Sequence, residues 1–111
     1  MARYVPKKGD FVTASFDPQF GHEQKERTPA LIVSNDLFNK ATGFAFACPL
    51  THTDRKVPFH VQVPDKSKLT GFIMVDQVKS IDYRSRKAKF IEKAPSELIK
   101  KVLGILNACW N

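Results

Sequence analysis

The chain is short of several things, and each shortage removes a class of answer. Only two cysteines occur in its 111 residues, Cys48 and Cys109, and neither has a second cysteine or a histidine at metal-ligand spacing. Both read as reduced, largely buried thiols. No apolar run approaches the roughly 18 residues that span a membrane. The start, Met1 to Pro6, lacks the apolar core of a secretory signal. The expectation is a cytoplasmic protein with no membrane association. A glycine-rich phosphate loop, a histidine pair at helical spacing and a nucleophile elbow are all missing. His22, His52 and His60 are scattered along the chain, so neither metal nor cofactor is expected.

Positive charge, by contrast, is abundant. The formal net charge is +7, with 18 Lys and Arg against 11 Asp and Glu. Between Lys79 and Lys101, eight basic residues face the three acids Asp82, Glu92 and Glu97. An excess of this kind favours polyanionic or acidic partners, nucleic acid among them. Length fits one domain, residues 1–111.

Hydrophobic patterning predicts a mainly β (α+β) fold. Phe11 to Phe16 alternates as a first strand and ends at Asp17-Pro18. Gln19 to Thr28 is polar and reads as a loop. Ala30-Leu31-Ile32-Val33 is a continuous apolar run, as in a strand buried on both faces. Ser34 or Asn35 can cap a short helical turn over Asp36 to Lys40. Gly43 to Leu50 reads as a strand, and Thr51 to Val57 as a polar loop. Phe59 to Val63 alternates and is expected half-exposed, with His60 on its outer face. Gly71 to Val75 and Gln77 to Ile81 read as two strand segments meeting near Asp76, and Lys87 to Ile91 as a last strand. Pro95 suits the first position of the one long helix. There Leu98, Ile99, Val102, Leu103, Leu106, Cys109 and Trp110 follow helical spacing. Short strands plus a terminal helix predict a small, twisted barrel with helical additions.

One reaction that asks little of an enzyme is cleavage of RNA, whose own 2′-hydroxyl can serve as nucleophile. That reaction needs a base, stabilisation of charge on phosphorus and an acid for the leaving oxygen, and no metal is strictly required. His22 and Glu23 can move protons, Arg27 can neutralise phosphate and Thr51 can donate a hydrogen bond. Taken singly, each is more often an ordinary loop or turn residue, and spacing alone leaves the activity open.

Several stretches occur in a distinctive order. Gly9-Asp10 is followed by Phe16-Asp17-Pro18, then Gly21-His22-Glu23-Gln24 leading to Pro29-Ala30-Leu31-Ile32-Val33-Ser34. Phe38-Asn39, Pro49-Leu50-Thr51, Pro58-Phe59 and Asp76-Gln77-Val78-Lys79-Ser80-Ile81-Asp82 come after. In this the chain resembles, over nearly its whole length, the MazF/PemK family of toxin–antitoxin ribonucleases.

The resemblance implies an SH3-like β-barrel with short helices and a C-terminal helix, and a homodimer. It implies a cognate acidic antitoxin and sequence-specific, metal-independent cleavage of single-stranded RNA. The products would carry 2′,3′-cyclic phosphate and 5′-hydroxyl ends. Thr51 matches the family's catalytic threonine and His22 a histidine that some members use; Glu23 and Arg27 complete the implied catalytic set. RNA contacts fall on Gln24, Thr28, His52, Asp76, Gln77, Lys79, Arg84 and Arg86. The family pattern puts an arginine immediately before the proline that opens the second strand. Here that position is Thr28, and Arg27 stands one residue earlier. An arginine with a pKa above about 12 is a poor proton shuttle, so Arg27 is assigned charge stabilisation first. Met74 stands where a subgroup has an arginine two residues before the aspartate matched by Asp76. Two other readings stay open: a barrel that binds RNA or antitoxin with weak or no cleavage, and a gyrase-inhibiting toxin on the same fold.

Overall fold

The computed structural model describes residues 3–15 and 27–110. Among them are seven strands: β1 (Asp10–Ala14), β2 (Thr28–Ile32), β3 (Phe44–Thr51), β4 (His60–Gln62), β5 (Phe72–Met74), β6 (Lys79–Asp82) and β7 (Lys89–Lys93). Two helices accompany them, α1 (Asp36–Thr42) and α2 (Ser96–Cys109). All pairings are antiparallel, in the order β4-β5-β3-β2-β1-β7.

The longest strand, β3, organises the sheet. Its first half pairs with β6 (Phe44↔Asp82, Ala47↔Lys79) and its end with β5 (Leu50↔Ile73, Thr51↔Phe72). The switch between the two partners is a 3₁₀ turn over Val75–Gln77. That break is the one the sequence places near Asp76.

Two apolar layers follow from strand alternation. Phe11, Leu31, Cys48, Leu50, Val61, Ile73 and Val75 lie beneath Leu98, Val102 and Leu106 of α2. On the reverse face, Val12, Ala14, Ala30, Ile32, Ala45 and Ala47 meet Ile81 and Tyr83, with Tyr4 and Val5 of the N-terminal arm packed on top. Buried Asn39 secures that side: its Nδ2 donates to the Pro6 carbonyl at 2.7 Å and the Ser34 carbonyl at 3.1 Å, and its own carbonyl accepts from the Tyr83 hydroxyl at 2.8 Å. Asp10 is also buried, accepting from the Tyr4 hydroxyl at 2.6 Å and pairing with Lys93 at 3.0 Å. Burial, then the hydrogen bond to Asp10, pushes the Tyr4 phenol far above its ordinary range.

The sheet is open, because β4 and β7 do not pair. Its two ends nevertheless meet through a side chain: the Lys68 backbone N–H, between β4 and β5, donates to Glu92 of β7 at 2.8 Å.

Three local expectations need correction. Pro95 caps α2 from the residue before it, with an extended ψ of 145°, and the helix begins at Ser96. Cys48 is buried but Cys109 is exposed, because the buried stripe of α2 ends at Leu106, one turn earlier. His60, expected on an outer face, has a side chain only 4% exposed. In the 71–75 segment, Ile73 and Val75 fill the core.

Candidate active site at the end of β3

The exit of β3 is shaped by a close approach. Gly71 has φ +114°, and a Cβ there would lie 2.5 Å from the Thr51 carbonyl oxygen. Only glycine lets the chain before β5 pass so near. Thr51 is thereby held half-buried at the last position of β3, where its Oγ1 accepts from the Thr53 N–H at 3.2 Å. His52 follows it, exposed.

Strand register decides what faces Thr51. β2 and β3 pair as Ala30↔Pro49 and Leu31↔Cys48, and continuing that register sets Thr28 opposite Thr51. Directly paired side chains share a face. Thr28 and Thr51 therefore project together on the side away from α2, as do Phe72, Met74, Gln62 and His60 on β5 and β4.

Alternation sends Arg27 to the other face. Its guanidinium donates to the Thr13 carbonyl at 2.7 Å, to Thr13 Oγ1 at 3.2 and 3.3 Å, and to the Lys87 carbonyl. These bonds tie the start of β2 to the strand β1 and to the turn before β7. Arg86 has a related job, donating to the Ser15 carbonyl at 3.1 Å while its own carbonyl accepts from the Ser15 N–H at 3.1 Å.

Of the remaining sites named from sequence, Asp76 is exposed in the 3₁₀ turn, 3.0 Å from His60 Nε2. Its charge, after burial, helps push the Cys48 thiol up to about 12. Gln77, Lys79 and Arg84 are exposed. Arg84 lies away from Thr51, in a groove with Arg3, Lys7 and Lys40 around Asp36. His22, Glu23 and Gln24 lie outside the described residues. The structure thus gathers Thr28, Thr51 and His52, places Asp76 farther along the edge of β3, and separates Arg27, Arg84 and Arg86 from that group. Sequence reasoning passed over His60, because its partnership with Asp76 exists only once β4 and β5 are in register. Among the described residues, no three His, Cys, Asp or Glu side chains gather where they could hold a metal ion.

A second surface lies along α2. Val33, Phe46, Val78, Leu103, Leu106 and Trp110 line an apolar groove of about 750 Å³. Phe38 stacks on Phe46 at 5.6 Å between ring centroids.

Comparison with known proteins places this arrangement. The family model for PemK-like, MazF-like toxins of type II toxin–antitoxin systems matches residues 7–109. The chain belongs to that family. It is 38% identical over 109 residues to the endoribonuclease toxin MazF of Escherichia coli K12, covering 96% of this chain and 97% of that one. The crystal structure of MazF from Deinococcus radiodurans superposes with a TM-score of 0.86 at 38% identity, over 96% and 97% of the two chains. A MazE–MazF structure from the same organism gives 0.85 at 33% identity, over 96% of each. In this member of the MazF/PemK family a threonine stands at the end of β3, with Thr28 of β2 on the same sheet face.

Proposed function

We propose that this chain is the toxin of a type II toxin–antitoxin system. It acts as a sequence-specific, metal-independent endoribonuclease on single-stranded RNA, mRNA included, and so inhibits translation and growth. The observation that carries this reading is the Thr51 hydroxyl, held half-buried at the exit of β3 in a chain of this family, opposite the position where the family pattern has arginine.

In the reaction, the 2′-oxygen attacks phosphorus and forms the 2′,3′-cyclic phosphate as the bond to O5′ breaks. The 2′-hydroxyl proton goes to a base, and O5′ takes a proton to leave as a 5′-hydroxyl. Thr51 donates to a phosphoryl oxygen as charge develops there, a type of contact typically worth about 10²–10³ in rate. His22 and Glu23 are the proton-transfer groups. Arg27 serves the site from the start of β2, its ties to Thr13 and Lys87 fixing that end of the strand. Gln24, Thr28, His52, Asp76, Gln77, Lys79, Arg84 and Arg86 contact RNA. The net charge of +7 suits both RNA and an acidic antitoxin.

The domain spans 1–111, works in the cytoplasm and forms a homodimer. The groove beside Phe46 and Trp110 is the surface a second copy covers, since exposed apolar ground of this kind marks an interface. No described helix is long and apolar enough to cross a membrane. The Lys68–Glu92 bond between the two sheet ends supports an SH3-like barrel held shut by side chains. One observation favours a second reading, a barrel that grips RNA but cuts poorly: Thr28 carries no charge to the phosphate.

Incubation of a long single-stranded RNA with the protein in EDTA, with the ends mapped, tests the proposal. Discrete cuts with 5′-hydroxyl and 2′,3′-cyclic phosphate ends are expected. RNA bound but intact would turn the assignment to the binding barrel.

A further inference from the structure

His60 has no part in the reaction outlined above, yet its burial is hard to explain on structural grounds. It pairs with Met74 across β4 and β5, on the same sheet face as Thr51. Its ring is 4% exposed, and Nε2 lies 3.0 Å from Asp76 Oδ1. Nδ1 is also buried and, among the described residues, has no hydrogen-bond partner. A buried N–H without an acceptor is costly. Of the two imidazole tautomers, the one with its N–H on Nε2 fits this geometry, donating to the carboxylate and leaving no buried N–H at Nδ1 to satisfy.

Asp76 gains little stability from this contact. Its side chain is 42% exposed, and water solvates an exposed carboxylate well enough alone. Desolvating an imidazole to hold such a group makes sense when the direction of the carboxylate matters. The turn at Val75–Gln77, where β5 gives way to β6 along β3, leaves that carboxylate exposed. Among the described residues, Oδ1 is the Asp76 carboxylate oxygen that has a side-chain partner.

We propose that His60 is a positioning residue of the RNA site: by holding Oδ1 of Asp76 it aims Oδ2 at a hydrogen-bond donor of the substrate. The proposal rests on the ribonuclease reading. Its chemistry is that of supporting residues which orient the group in contact with ligand. The unpartnered Nδ1 is the cost of that arrangement.

The test uses the full chain, an RNA oligonucleotide carrying a mapped cut site, and the variants His60→Phe, His60→Gln, Asp76→Asn and His60→Phe/Asp76→Asn, with thermal melts of each. Phenylalanine fills the buried volume without a donor, whereas the glutamine amide restores an N–H toward Asp76. The expected result is a tenfold or greater loss of kcat/KM in His60→Phe, with a melting temperature at or above wild type. Asp76→Asn loses a similar amount, the double variant is no worse than Asp76→Asn, and His60→Gln recovers most of the rate. Wild-type cleavage in His60→Phe overturns the proposal, as do multiplicative losses in the double variant or a His60→Gln no better than His60→Phe. Should His60→Phe fail to fold, Asp76→Ala carries the test from the exposed side, and unchanged cleavage there overturns it. Wild-type protein that leaves the RNA whole overturns the ribonuclease reading itself. Wild-type cleavage alongside equally active His60 variants overturns only the positioning role.

Discussion

At its first residues, β3 carries Phe44 and Phe46, 44% and 42% exposed, beside the stacked ring of Phe38 and a Trp110 that is 67% exposed. At its last residue it carries Thr51, opposite Thr28 and followed by His52. Between the two ends Ala45, Ala47 and Cys48 are fully buried. One strand thus joins an apolar surface to a polar one through a sealed middle. Exposed aromatic surface is stabilised by another protein surface, while half-buried hydroxyls at a strand end are available to phosphate. On the proposed reading, partner binding falls to one end and chemistry to the other, with one strand joining them.

The largest effect is expected at the apolar end. Phe46→Asp puts a charge into the groove along α2 and should convert the dimer to monomer in sedimentation at micromolar concentration. A wild-type mass that is already monomeric would remove the proposed role of that end. Next is Arg27→Ala, which strips charged donors from Thr13 and Lys87. A loss of about 1.5–3 kcal/mol in urea unfolding is expected for bonds of this type. Cleavage per folded molecule should fall less than in Thr51→Ala, and the reverse order would return Arg27 to the phosphate.

The two thiols divide the same way. Cys109 should react readily with iodoacetamide in native protein, and Cys48 only on unfolding. Because burial raises the folded Cys48 thiol to about 12 from 9.0, the unfolded chain releases its proton first as pH rises. This stability contribution is whole below pH 9 and is lost progressively toward pH 12. Unfolding midpoints across that range, compared with Cys48→Ala, check the sign. The smallest effect belongs to Thr28→Arg, which adds one phosphate contact at the polar end. It should steepen the salt dependence of RNA binding by about 0.7 in log–log slope, and an unchanged slope would place RNA elsewhere.

The strands and both helices were legible because their signals are local. A β-branched run gave β2, Asn35 caps α1 as its residue type allows, and the break at Asp76 lies between two apolar segments. What one sequence could not show is what register creates. Arg27 and Thr28 are neighbours in the chain, and only strand alternation puts them on opposite faces. Likewise His60 and Asp76 lie sixteen residues apart and meet only after β4 pairs with β5. Cys109 was misplaced because helical spacing tells which side a residue takes, not where the core beneath it ends.

The most direct test of RNA cleavage at the Thr51 end of β3 is a single-turnover rate for Thr51→Ala on an RNA cut by wild type, with binding affinity measured in parallel. The expected result is a rate loss of about 10²–10³ with affinity changed only slightly. A variant that cleaves at the wild-type rate would contradict it.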